Sequence, residues 1–375
     1  MHHICLNCAG DIHIINEIEE RGAVERACST CGAEDIQALC SDDRRLRDIC
    51  RLLVRIRFSE WEYRVDWGGQ NFRNLTAGSD VWFREEVQGE KESFADLIGD
   101  CIRQYPDESI PLYTNPGLSF QRLSLGEDEE IDRLFKRFSS ENSFSIEDDV
   151  RTVLHEMEVD ISHLLPPRSR YYRSRIGVSR HAPAPGWQFG RRPPSMYDPY
   201  TGADISSPPI ALAGQNRFNR QYVSMLYLSS SIDTAISEVR PHHGDLVSIG
   251  AFENPSQLYV ANFSPDIRKF LSIERMVALT KIYAVRRWLS KTVLPSEKLS
   301  YLATQAFSDE LRLSGYEGII FGSALSGHGN LVCFKGENFV AIPESKKAFQ
   351  IKRVIYEKDE LINHSIENEF RFWME

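Results

Sequence analysis

Residues 225–264 read MLYLSSSIDTAISEVRPHHGDLVSIGAFENPSQLYVANFS. Three short runs within it, MLYLSSS, LVSIGAF and LYVANFS, have the length and the aromatic or β-branched content of strands. Between the first two, SIDTAISEVRPHHG predicts a helix or a single turn of one. Downstream, residues 273–291 and 299–314 predict helices, and Gly315 follows the second as a C-terminal cap. GIIFGS and NLVCFK predict two further strands, and FQIKRVIYE one more before a polar tail. Strands and helices mix here without regular βαβ alternation, so an α+β fold is predicted.

The preceding half has a different character. Residues 42–64 have helical periodicity, with Leu46, Ile49, Leu52, Leu53 and Ile56 on one side. Residues 91–105 predict another helix, with Ser93 as its N-cap. Residues 127–164 are acidic and helical, with Ile131, Leu134, Phe135 and Phe138 as an apolar stripe, and the acids read as a solvated face. Pro166-Pro167 ends that segment. Residues 168–192 then carry seven arginines and no acid. Residues 193–214, rich in Pro, Ser and Gly, read as a long surface loop. Four regions follow: a small unit over 1–40, a mainly helical region over 41–165, an α+β region over 166–345 and a strand with a polar tail over 346–375.

Composition excludes several classes. Of 375 residues, 42% are hydrophobic and 26% charged, which rules out disordered, collagen-like or coiled-coil chains. No run approaches the roughly eighteen apolar residues that a membrane span requires. The start, MHHICLNCAGD, lacks the apolar segment of a secretory signal. A cytoplasmic, reducing location is therefore expected, and with it no disulfide framework. A net charge of −10 argues against broad nucleic-acid coating, though a local basic patch stays open.

Four of the eight cysteines form two Cys-x-x-Cys knuckles, Cys5/Cys8 and Cys28/Cys31. Each two-residue gap lets one tight turn present two thiolates to the same ion, and two knuckles complete a tetrahedral shell. The pattern predicts a structural zinc ion, since four thiolates leave no open position for substrate. A helix near DIHIINEIEER should join the knuckles. His2 and His3 read as solvated terminal residues.

An ordered set of short motifs runs through the second half. It comprises Tyr171-Tyr172-Arg173-Ser174-Arg175, Asn216-Arg217-Phe218-Asn219-Arg220, Leu226-Tyr227-Leu228 and Ala235-Ile236-Ser237-Glu238-Val239-Arg240-Pro241. Tyr301-Leu302-Ala303-Thr304-Gln305, the run from Gly315 to Ser323, and Asn330-Leu331-Val332 complete it. In this order, over residues 168–340, the set resembles the RES family. That resemblance implies a toxin-type protein with an ADP-ribosyltransferase-like fold that consumes NAD+, releasing nicotinamide with phosphate or water as acceptor. It further implies an antitoxin or regulatory partner, and leaves a homo-oligomer open. By position it makes Glu238, Arg173, Tyr227 and Ser323 catalytic. Arg217, Tyr172, Asn219 and Gln305 join Arg173 as dinucleotide-binding candidates. Asn216 stands where the family often has glycine, and Arg175 and Arg220 are alternatives to Arg173 and Arg217.

These residue types suit that chemistry. Arginines bind pyrophosphate oxygens in bidentate, charge-assisted fashion. Cleavage of the nicotinamide–ribose bond passes through an oxocarbenium-like state, which one carboxylate, Glu238, can stabilise. Nicotinamide leaves neutral from a cationic ring, so no acid need protonate it. Tyr227 can stack on that ring, and Ser323 can hydrogen-bond the carboxamide or a ribose hydroxyl. Mono-ADP-ribosylation of a protein is an alternative, although Ile236 stands where arginine-directed transferases carry Glu or Gln. A non-enzymatic zinc-containing adaptor that binds a nucleotide is another. The leading half reads as a module that restrains or targets the enzyme.

Overall fold

The computed structural model describes residues 2–76, 82–89, 91–102, 109–113, 122–123, 125–183, 195–293, 301–323 and 329–355. The leading unit contains β1 (His3–Cys5), α1 (Ile12–Arg21), β2 (Ala23–Ala27) and β3 (Glu34–Cys40). Its three strands pair antiparallel in the order β1-β3-β2. Asp11 caps α1 by accepting from the His13 amide at 2.8 Å. Among the described residues, six helices lead into the α+β half: α2 (Arg44–Arg57), α3 (Glu60–Tyr63), α4 (Phe72–Thr76), α5 (Glu85–Gly89), α6 (Lys91–Ile102) and α7 (Glu129–Arg137). Ser93 lies inside α6 rather than at its cap, because the helix already begins at Lys91.

Next come α8 (Glu147–Ile161), β4 (Ser162–Leu165), β5 (Arg170–Ile176), β6 (Arg180–Pro183), β7 (Ser195–Asp198) and β8 (Leu226–Ser229). They are followed by α9 (Ile232–Glu238), β9 (Leu246–Glu253), β10 (Leu258–Asn262), α10 (Ile273–Ser290) and α11 (Leu302–Leu313). The series ends with β11 (Gly318–Gly322), β12 (Gly329–Cys333), β13 (Val340–Ala341) and β14 (Lys347–Gln350). Gly315 has φ 89°, the left-handed backbone expected just past α11.

The main sheet has nine strands in the order β13-β9-β5-β8-β12-β11-β10-β4, with β14 also on β9. Among its described pairs, β10 with β11 is parallel and the others are antiparallel. The α+β expectation therefore holds. Two expectations need correction. Residues 193–214 are not all loop, since β7 pairs with β6 as a ribbon. The acid-rich segment is not one solvated helix: it breaks between α7 and α8 and ends in the sheet strand β4.

Its acids also dock. Asp132 accepts from Trp288 Nε1 at 2.7 Å, and Lys281 bonds Glu156 at 3.0 Å. Arg151 reaches Glu310 on α11 at 3.0 Å. Phe135 stacks on Trp288 and on Phe307, with ring centroids 5.0 and 4.8 Å apart. These contacts lay α7 and α8 over α10 and α11, which in turn cover the sheet. One continuous apolar core consequently runs from Ile4 to Phe334 and includes both halves of the chain, while a smaller cluster lies around Leu226, Leu228 and Phe252.

A candidate active site at a strand divergence

The sheet register brings four side chains into one row. Tyr172 on β5 lies opposite Ser229 on β8, Ser229 opposite Asn330 on β12, and Asn330 opposite Phe321 on β11. Directly opposed residues share a face, so the row is a consequence of pairing alone. Tyr227, two residues before Ser229, joins that face. Strands β5 and β8 share just that one registered pair, whereas β5 and β9 share seven. The divergence of β5 from β8 leaves room for a cavity of about 370 Å³, walled by residues of both strands, α9 and β12.

Arg173, Arg217, Tyr172, Tyr227 and Glu238 all line that cavity. Glu238 is the last residue of α9, whose Ser231 N-cap accepts from the Thr234 amide at 3.1 Å. The carboxylate is exposed and held from two sides. Ser323 Oγ and Asn330 Nδ2 both donate to Oε1, each at 2.7 Å. Asn330 Oδ1 accepts from Ser229 at 2.7 Å, which fixes the amide's orientation. Oε2 accepts no bond from a described residue, so one carboxylate oxygen is anchored and the other is open to a ligand.

The two arginines are held differently. Arg173 Nη1 donates to the Tyr227 carbonyl at 3.0 Å, and its buried Nε has no partner among the described residues. Burial pushes its guanidinium down to about 10. Arg217 donates to the Leu289 carbonyl. Burial lowers its pKa too, opposed by nearby Tyr301 and Glu238. Both stay charged at neutral pH, but desolvated, and an entering anion would restore the compensation that burial removed. Arg240, in left-handed backbone at φ 48°, adds a third guanidinium to the wall.

The Tyr227 hydroxyl donates to Asn219 Oδ1 at 2.7 Å and accepts from the Phe218 amide at 3.2 Å. Burial raises its pKa, so the phenol stays neutral and its ring is fixed against the cavity. Asn219 and Gln305 do not line the cavity. Asn219 spends its amide on the Gly214 and Arg220 carbonyls. Gln305 Nε2 donates to the Asn216 and Asn219 carbonyls at 2.8 and 3.1 Å. Both are buried and hold the 214–220 loop that carries Arg217. Ser323 reaches the site through Glu238 and is absent from the wall. Of the alternatives, Arg175 lies over the Tyr200 ring and bonds the Asp204 carbonyl, and Arg220 pairs with Asp309 at 2.8 Å. Neither lines the cavity.

Arg240, Tyr301, Ser229 and Asn330 are wall residues that sequence reasoning did not single out. All but Ser229 lie inside the quoted motifs, and their positions follow from register and loop path rather than from local pattern.

In the leading unit, the sulfurs of Cys5, Cys8, Cys28 and Cys31 lie within 4.8 Å of one another and could hold a metal ion. Neighbouring Sγ atoms are 3.5 Å (Cys5–Cys8), 3.5 Å (Cys5–Cys31) and 3.8 Å (Cys8–Cys28) apart. A tetrahedron with Zn–S bonds of about 2.3 Å has edges of roughly 3.8 Å, so the donor set fits zinc. Gly32, at φ 72°, closes the second knuckle. His3 is not a loose terminal residue but part of β1, opposite Cys40.

Fold and site together define an α+β protein with a cationic, tyrosine-walled cleft that carries one anchored carboxylate. Residues 187–353 match the family model described as the RES domain. That segment of the chain is a RES domain. The matched residues include Arg217, Tyr227, Glu238 and Ser323, and they begin after β5 with Tyr172 and Arg173. Among solved structures the chain is similar to one from the crystal structure of the M. tuberculosis MbcT–MbcA toxin–antitoxin complex. That likeness has 10% identity over 53% of this chain and 92% of the other, with a TM-score of 0.28. No match was found among curated proteins. Among the described residues no helix is long and apolar enough to cross a membrane.

Proposed function

We propose that the protein cleaves the nicotinamide–ribose bond of NAD+ and passes the ADP-ribosyl group to water or phosphate. The observation that carries this reading is the convergence of Glu238 with Arg173, Arg217 and Tyr227 on one cavity, with the carboxylate held by Ser323 and Asn330. Arg173 and Arg217 take the pyrophosphate, whose charge compensates their desolvation. The fixed Tyr227 ring stacks on nicotinamide. Glu238, through Oε2, accepts from the ribose hydroxyls and faces the positive charge that grows at the anomeric carbon. The carbon–nitrogen bond breaks with its electron pair passing to the ring nitrogen, which neutralises the pyridinium. Water adds to the anomeric carbon and releases one proton, or phosphate adds and gives the 1-phosphate ester.

The cysteine cluster takes a structural zinc ion in the same reading, holding β1 and the second knuckle together. The reaction requires a compartment that holds NAD+, and the cytoplasm provides one. A separate protein partner restrains turnover, since unchecked loss of NAD+ would harm the cell that makes the enzyme.

The test is nicotinamide release from NAD+ by the purified, zinc-loaded full chain, with and without phosphate. Release is expected. Phosphate dependence selects phosphorolysis, and label on protein selects the transferase reading. No release under any condition overturns the proposal.

A further inference from the structure

A second cavity, of about 350 Å³, adjoins the first and shares Arg217 and Tyr301 with it. Most of its remaining wall comes from the start of α11 and the ends of α10 and α7. Trp288 and Lys291 belong to the end of α10, while Lys136 and Phe138 belong to the end of α7, outside the residues that match the family. Trp288 is immobilised by its bond to Asp132 and its stack on Phe135. Lys136 and Lys291 are exposed and make no ion pair with a described residue, and Lys291 Nζ lies 4.9 Å from the Trp288 ring centre. An aromatic floor edged by three cations is the chemistry of a nucleotide: planar base against the rings, phosphate against the ammonium and guanidinium groups. Either cavity alone is at the low end of the roughly 300–1,000 Å³ in which small ligands are held. With Arg217 in the wall of both, the pair suits a molecule with two lobes and phosphates between.

We infer that this second cavity binds the adenosine-phosphate half of the dinucleotide, so that α7 of the leading half is part of the substrate site. The inference rests on the NAD+ reading for its ligand. It makes the leading half a contributor to affinity rather than a detachable regulator.

The experiment is calorimetric titration of the full chain with ADP, run on the wild type, Lys136→Glu and Ser139→Trp. Both substituted residues are exposed and line the cavity, so the fold should tolerate either change. Melting temperatures within experimental scatter of the wild type verify this. The first variant reverses a charge and the second fills space. Each is expected to weaken ADP at least fivefold and to raise the half-saturating NAD+ concentration by a similar factor. Wild-type ADP affinity in both variants, or no ADP binding by the wild type, overturns the inference. Parallel NAD+ assays separate the two claims. Nicotinamide release with ADP affinity unmoved by the variants leaves the reaction standing and removes the second cavity. ADP binding that depends on Lys136, without release, does the reverse.

Discussion

Glu238 sits where helix electrostatics disfavours it. An acid at a helix C-terminus faces the negative end of the aligned peptide dipoles, and Glu238 is the last residue of α9. Two neutral donors, Ser323 and Asn330, offset the conflict. Such a local contradiction is a mark of function. Replacing Glu238 with Gln keeps the shape and removes the charge. Turnover should fall at least about 100-fold with an unchanged melting temperature. Arg173→Ala should raise the half-saturating NAD+ roughly tenfold or more, whereas Arg175→Ala should leave it within about twofold, because Arg175 lies against Tyr200. Initial rates over a range of NAD+ check both, and near-wild-type activity of Glu238→Gln would remove the mechanism. Glu238, Arg173 and Tyr227 could be picked out because they occur in motifs whose order is informative. Asn330 and Tyr301 could not: a strand Asn and a helix-start Tyr are unremarkable until register sets the first beside the carboxylate and loop path sets the second in the same wall.

At the scale of elements, most helices and the five strands from β8 to β12 were legible, whereas β1 to β5 were not read as strands. Runs such as LYVANFS alternate or cluster apolar residues in ways that one period explains. The β6–β7 ribbon was not, because its prolines and serines mimic a loop and its pairing is non-local. The division of 127–164 into α7, α8 and β4 was hidden as well, since acids mask the break and β4 is chosen by its partner β10. The knuckles were legible because spacing alone constrains two thiolates. One zinc per chain is expected from metal analysis of the native protein. Cys8→Ser should abolish it, and a strong chelator should lower the melting temperature. A zinc-free chain that melts as the wild type does would refute the structural role.

Across the whole molecule, an ionic junction ties the leading unit to the sheet domain. Glu17, wholly buried, accepts from Arg21 and Arg45 at 2.7 Å and from Arg268 at 3.2 Å. Arg268 also bonds Glu20 and Asp266. Burial opposes the charge on Asp266, but bonds from His13 and Arg268 outweigh it and hold the carboxyl well below the usual range. A lowered carboxyl pKa stabilises the fold above the unfolded value of about 3.9, and that contribution fades as pH falls through the folded value. The wild type should therefore melt above Asp266→Asn at neutral pH, with the gap narrowing below about pH 4. A gap that is constant with pH would show that the junction does not titrate this way.

The shared interior extending from Ile4 to Phe334 limits how such a chain can evolve. Swapping the leading half for an unrelated one would strip the greasy backs of α10 and α11 and leave Trp288 unmoored from its carboxylate. Recombination at the Pro166-Pro167 joint should yield insoluble products, so descendants of this architecture ought to vary by drift in both halves together rather than by exchange of parts.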